Sequence, residues 1–499
     1  MDTLYYLNEI TVCLAFGFLS ILQCALLNKS PSDHNAHIYI IKETQKRRLK
    51  LPSTPSSIIN KSAWGGYPLL LHFFLGKLSL DSYKIPALLL GTFLNLITAL
   101  VTIYILEPPS SLAFCLFFIL FSPYNFDVAN ATNFGISSRS LGQLFLIIFI
   151  SSLSLASRDM LGEEWNFTLL ALISCLSIIA FNVFATQALI IFSLVALFFG
   201  NFLPMLMLSL SLALFLIFFG NYAKGYLSST LKYWNSYRKY FADISILLSY
   251  PSYWLTPINE AREIYRSRNY KRAYNLVVHN SVLNSLLFNP IVWSCLYVMF
   301  KGFDLNPIIQ QFIVAMFFAF FITSFKFGRF WGEPHRYLEM LTPILVIVMF
   351  DNIFEWKYEY IFYFIALVIL QLILSLILSK KLKDNSQTLD FLESVVDDNI
   401  INPVIASNNN HAIRHFLKNQ WKFVTIWSIE EEIVGMKPHQ VFDPFPFIGF
   451  DSFLKIIDKY IPNALLISIR DDVDEKALNI RGYRVISSKN EYVLYRKST

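Results

Sequence analysis

With 499 residues the chain has room for more than one domain, but 55% hydrophobic residues, 15% charged residues and a mean hydropathy of +0.48 exclude an ordinary soluble protein. A soluble surface needs more polar cover than this, so the balance places the chain among membrane proteins. The net charge of +6 is modest for such a chain and gives no ground for nucleic-acid binding.

In chain order, charge-poor runs cover 10–28, 85–106, 108–126, 140–157, 165–223, 273–300, 305–325 and 360–379. A shorter run at 337–352 carries Glu339. Residues 165–223 hold no Asp, Glu, Lys or Arg, and one crossing needs only about 20 residues. Backbone groups in hydrocarbon must pair within their own segment, so each run is expected to be helical. This predicts an α-helical polytopic membrane protein of about eleven transmembrane helices. The run 10–28 is too long, and too weakly basic before it, for a cleaved signal peptide, and is expected to remain as the first helix. Cys13, Cys24, Cys115, Cys175 and Cys295 all fall in apolar runs, where thiols act as small hydrophobes rather than as disulfides or zinc ligands.

If each run crosses once, the larger polar segments (29–84, 121–139, 221–272, 326–336 and 380 onward) share one face. The other face receives only 107–110, 158–164, 301–304 and 351–359. One elaborate face suits an enzyme or receptor, and the chain shows no internal repeat of the sort common in alternating-access transporters. Orientation stays open between two accounts. The elaborate face carries most Lys and Arg, which by the positive-inside rule belongs in the cytoplasm. Alternatively, those residues hold an anionic ligand.

The tail from 380 to 499 changes composition. Residues 423–427, 464–470, 483–488 and 492–496 read as strands. Residues 451–461 have helical spacing, with Asp451 placed to cap the helix. Alternating strand and helix predict a small C-terminal α/β soluble domain over 380–499, after a transmembrane domain over 1–379.

Four stretches carry candidate chemistry. In Ser32-Asp33-His34-Asn35-Ala36-His37, a helix would put Asp33 and His37 on one face, suiting a general base or one end of a metal site. A solvated helix with Asp33 as its N-cap accounts for the same residues. Gly66-Tyr67-Pro68 leads into an apolar stretch too short to span, which holds His72. Asp127 follows in the next loop of that face, and Arg139 opens the helix after it. The stretch 327–343 carries Arg329, Glu333, Pro334, His335, Arg336 and Glu339. Pro334 suits the first turn of a helix, which places His335 and Arg336 where free N–H groups already favour an anion. Glu339 would sit in the outer part of a membrane helix, where ionisable residues are usually paired and functional. A lipid phosphate fits this set; interfacial snorkelling of Arg336, with Glu333 pairing an arginine, is the plainer alternative.

In their order, Asp33-His34-Asn35-Ala36-His37, Gly66-Tyr67-Pro68, Asp127 and Glu333-Pro334-His335-Arg336-Tyr337 resemble the GT-C superfamily of membrane glycosyltransferases. Protein O-mannosyltransferases, aminoarabinose transferases and the catalytic subunit of oligosaccharyltransferase belong to it. The tail's close, from Arg481-Gly482-Tyr483 to Tyr495-Arg496, also looks like the end of such chains. The resemblance implies a multi-pass enzyme of the bacterial inner or plasma membrane, working on its extracytoplasmic side. Its donor would be a polyprenyl-phosphate-linked sugar, and its acceptor a glycan, lipid or protein. Asp33 or Asp127 would be the catalytic base. His34, His37, Tyr67, His72, Arg139, Arg329, His335, Arg336 and Glu339 would bind substrate, the arginines at the donor phosphate. The chain lacks the Asp-X-Asp pair of the early loops. No cofactor is therefore specified, and a divalent cation stays an open alternative. A polysaccharide polymerase or ligase acting on lipid-linked glycans is the neighbouring alternative, and a lipid-linked glycan transporter the more distant one.

Overall fold

The computed structural model describes residues 31–47, 68–78, 138–157, 164–236, 255–268, 306–353, 358–417, 421–424, 434–436, 438–441, 447–469 and 473–498, with isolated positions elsewhere. The first expected helix, 10–28, falls largely outside the described residues. Among them the chain runs through α1 (Pro31–Arg47), α2 (Leu70–Gly76), α3 (Ser138–Ala156), α4 (Glu164–Phe181) and α5 (Val183–Phe198). There follow α6 (Leu203–Ser236), α7 (Leu255–Ser267), α8 (Pro307–Thr323), a 3-10 turn (Lys326–Trp331), α9 (Pro334–Ile353) and α10 (Tyr358–Asn399). The tail adds β1 (Val404–Ser407), α11 (Asn410–Phe416), β2 (Lys422–Val424), α12 (Pro438–Val441), α13 (Phe450–Tyr460), β3 (Ala464–Ser468), α14 (Glu475–Ile480), β4 (Tyr483–Lys489) and β5 (Tyr492–Lys497). Two compact units emerge: 1–29, 81–220 and 251–379 form one, and 30–80, 221–250 and 380–499 the other.

The first unit is a helix assembly around an aromatic core. Phe149 of α3 meets Phe192 of α5 edge-to-face at 6.4 Å, and Phe192 meets Phe312 of α8 at 5.6 Å. All three are fully buried, and such offset pairs add to what their burial already contributes. Gly142 lets α3 approach the start of α5: a Cβ there would lie 2.5 Å from the Cβ of Asn182, which no side chain can occupy. Asn182 is itself the N-cap of α5, its Oδ1 accepting from the Ala185 amide at 2.8 Å.

The segment 203–232 is apolar and long enough to cross a bilayer, and only 22% of its most apolar stretch is buried inside the molecule. A core helix of a soluble protein would be mostly buried; here Leu206, Ile217 and Phe218 point outward, as toward lipid. The regular dihedrals of α6 break at Gly220, with φ 47° and ψ −117°. Shorter apolar helices cover 141–156, 165–181, 183–198 and 307–323.

In the second unit a five-stranded mixed sheet has the order β2-β1-β3-β5-β4. β1 runs parallel to β2 and β3, while β5 runs antiparallel to both β3 and β4. Phe453, Ile456 and Ile457 of α13 share a helix face and bury against Leu465, Ile467, Tyr483 and Tyr495 of the sheet. One sequence expectation needs adjustment, and two features were not read from the sequence. β1 escaped notice because a four-residue run between Pro403 and Asn408 is too short to show an alternating pattern. Gly449, not Asp451, is the N-cap of α13; Asp451 lies in its first turn, where it still complements the helix dipole. Finally, α10 runs beyond the apolar stretch 360–379 to Asn399, because Leu389, Leu392 and Val396 give that extension a buried apolar face.

Candidate active site

In the first unit, the best-defined polar cluster gathers at the start of α9. Gly332 precedes it at φ +119°, a conformation other residues rarely adopt, and a Cβ there would meet the Phe184 ring at 3.3 Å. Pro334 then opens the helix, as the sequence predicts, and the Tyr337 hydroxyl donates to the Trp331 carbonyl at 2.6 Å, tying the 3-10 turn to α9. These constraints fix Glu333, His335 and Arg336 in one place.

Arg336 Nε donates to Glu333 Oε2 at 2.6 Å, and His335 Nε2 lies 3.4 Å from the same oxygen. The Arg336 guanidinium rests 4.1 Å from the centroid of the Phe184 ring, and Arg139 faces that ring at 6.0 Å. Arginine suits such a shelf because its flat, weakly hydrated cation stacks on aromatic faces. Burial alone would push the Glu333 carboxyl up; Arg336, then His335 and Arg139, outweigh it and hold the carboxyl at about 2. Glu333 is thus ionised at any physiological pH, and it faces two guanidinium groups.

A turn further along α9, the cause of one contact is visible in the sequence itself. Pro343 has no N–H, so the Glu339 carbonyl loses the helix bond it would make four residues on. Gln143 of α3 supplies the missing donor, its Nε2 lying 2.8 Å from that carbonyl. Glu339 is 4% exposed.

In the second unit, α1 is helical, as its Asp33/His37 spacing requires for a shared face. His37 Nδ1 lies 2.9 Å from His72 Nε2, and the two rings stack at 5.2 Å. His72 is fully buried, and burial first, His37 second, holds its imidazole well below the usual histidine range. The pair therefore needs complementary tautomers, one ring donating to the other. The Tyr222 hydroxyl accepts from the Leu69 amide at 3.1 Å, fixing the turn into α2.

Of the sequence candidates, Arg139, His335 and Arg336 come together in the first unit, with Glu339 one turn on. His37 and His72 come together in the second, where α1 also carries Asp33 and His34. Arg329 lies on the 3-10 turn. Tyr67 and Asp127 fall outside the described residues. Sequence reasoning underrated Glu333, treating it only as an alternative arginine partner. It missed Phe184 and Gln143. Gln143 carried a signal, a polar amide four residues after Arg139 in an apolar run; Phe184 was one phenylalanine among 47. Among the described residues, one trio of metal-ligating side chains converges, and it involves none of these candidates.

No protein-family model and no curated protein matches the sequence. Solved structures do. The chain is similar to ArnT from Cupriavidus metallidurans bound to undecaprenyl phosphate, with a TM-score of 0.53 at 9% identity, over 99% of this chain and 98% of that one. The same protein in its apo state gives 0.52 at 10% identity, with the same coverage. The Archaeoglobus fulgidus oligosaccharyltransferase in its apo form gives 0.52 at 10% identity, over 98% of this chain and 74% of that one. An identity this low shows the fold alone, and coverage of almost the whole chain makes this a likeness of architecture rather than of one substructure. The chain has the fold of the GT-C membrane glycosyltransferases.

Proposed function

We propose that the protein is a multi-pass membrane glycosyltransferase that moves a sugar from a polyprenyl-phosphate carrier to a glycan, lipid or protein acceptor on the extracytoplasmic side. The observation that carries this reading is the full-length likeness to ArnT, a protein solved with undecaprenyl phosphate bound. The arginine cluster at the start of α9 supports it independently. A phosphate diester or monoester needs cations and N–H donors, and Arg139 and Arg336 beside a helix N-terminus offer both.

In this reading residues 1–379 are the catalytic membrane domain, of about eleven crossings, and 380–499 the soluble domain. Arg336 and Arg329 hold the donor phosphate, which departs as the leaving group. Glu333 orients Arg336 through Nε and limits the positive charge of the site when no donor is bound. Asp33, or Asp127 in its stead, takes the acceptor proton as the acceptor oxygen attacks the sugar's anomeric carbon and the bond to phosphate breaks. His34, His37, Tyr67 and His72 shape the acceptor side. The basic residues of 221–272 then contact lipid headgroups and donor rather than marking a cytoplasmic face.

The test is transfer by the purified full-length chain from a panel of undecaprenyl-phosphate-linked sugars, read as release of undecaprenyl phosphate. Release that depends on both sugar donor and added membrane extract supports the reading. No release from any donor, with the chain folded, contradicts it.

A further inference from the structure

Asp390, Glu393 and His415 are the converging trio, and the glycosyltransferase reading uses none of them. The sequence sets two of the three. Asp390 and Glu393 are three apart on α10, so they project side by side from one helix face. His415 arrives from α11, the short helix that follows β1. Its Nε2 lies 2.9 Å from Asp390 Oδ1 and 3.8 Å from Glu393 Oε2, and all three donor atoms fall within 4.8 Å of one another.

A metal site asks more of these separations than an ion pair does. A cation about 2.0–2.2 Å from each of three N or O ligands requires them to lie roughly 3.0–3.5 Å apart. The two distances from His415 lie just below and just above that range, and the wider spread of the trio, within 4.8 Å, closes on a cation when the exposed Asp390 carboxylate turns toward it. His415 Nε2 has one proton to share, yet two carboxylates, Asp390 and Glu393, lie 2.9 Å and 3.8 Å from it.

The elements that carry the trio are also held in place. His415 is 1% exposed, and its carbonyl accepts from Asn35 Nδ2 of α1 at 3.0 Å. On α10, Thr388 accepts from Asn490 Nδ2 at 2.6 Å, and Asp397 accepts from Trp421 Nε1 at 3.2 Å. Fixing the two helices and the buried His415 lowers the ordering cost of binding a cation. The Asp390 side chain is 53% exposed, which leaves an entry path and room for a water ligand.

We infer that Asp390, Glu393 and His415 form a divalent-cation site, selective for zinc over magnesium, that staples α10 to α11. One imidazole with two carboxylates is a borderline donor set that suits Zn²⁺, whereas Mg²⁺ prefers oxygen ligands and keeps its waters. The cation would also steady α1, through Asn35, near the turn that carries Asp33. This site is independent of the donor and acceptor proposed above.

The experiment uses the full-length chain in detergent, stripped with chelator and then titrated with Zn²⁺ alone or Mg²⁺ alone. The wild type is expected to bind one more zinc equivalent than Glu393→Gln and Asp390→Asn, and to show a rise in thermal midpoint with Zn²⁺ that those variants lack. Mg²⁺ at the same concentration should give no rise. Both substitutions preserve side-chain volume, so equal metal-free midpoints would confirm that they fold. His415→Gln should lose the same equivalent. Equal zinc stoichiometry and equal thermal response in wild type and both carboxylate variants would overturn the inference, as would an equal response to Mg²⁺. Loss of sugar transfer plays no part in this readout, so failure of one proposal leaves the other standing.

Discussion

Glu333 sits between Arg336 and Arg139, and its removal separates structural from catalytic use of those arginines. Its carboxyl, held at about 2, lies below its unfolded value, so its contribution is fully present above the ordinary glutamate range. That contribution is lost only as pH falls toward 2. Glu333→Gln should therefore cost about 1–3 kcal/mol of stability at neutral pH. Thermal midpoints of wild type and variant should converge as the buffer is made strongly acidic. A second residue-scale expectation concerns Asp33. If it is the base, Asp33→Asn should lower turnover by about 10²–10⁴-fold while leaving detergent-extracted protein intact. Near-normal transfer by that variant would move the role to Asp127. The residues of 327–343 were legible beforehand because Pro, His, Arg and Glu at a membrane border each have few structural uses. Phe184 was not, because an aromatic shelf under a cation looks in sequence like any other core phenylalanine.

At the scale of elements, α3 and α9 are joined by a contact that Pro343 creates. Gln143→Ala should leave the Glu339 carbonyl without its donor and cost about 1–3 kcal/mol. In a Pro343→Ala background the helix regains its own N–H, so the same substitution should cost much less. A double-mutant cycle on thermal stability reads the difference, and additive losses would sink this account of the contact. Helices were the most legible elements, since Pro334 marks the start of α9 and the charge-free run 165–223 contains α4, α5 and much of α6. Strand β1 and the continuation of α10 were not. Their signals depend on what they pack against: β1 lies between β2 and β3, and the apolar stripe of Leu389, Leu392 and Val396 is sparse among charges.

For the whole molecule, the fold likeness was foreshadowed by motif order alone, since no single motif in the chain is specific. The sequence left orientation divided between the positive-inside rule and an anionic ligand, because a lysine or arginine carries the same charge in either role. A reporter active only in the cytoplasm, fused after Ser379, addresses this directly: the proposed orientation predicts no signal, and a strong signal would place the elaborate face inside. The most direct test of the central claim is binding of undecaprenyl phosphate to the purified full-length chain. Wild type should bind it, Arg336→Lys should bind more weakly because an ammonium cannot reproduce the guanidinium fork, and Arg336→Ala should bind at least about tenfold more weakly with an unchanged fold. Equal binding by wild type and Arg336→Ala, or none by wild type, would contradict it.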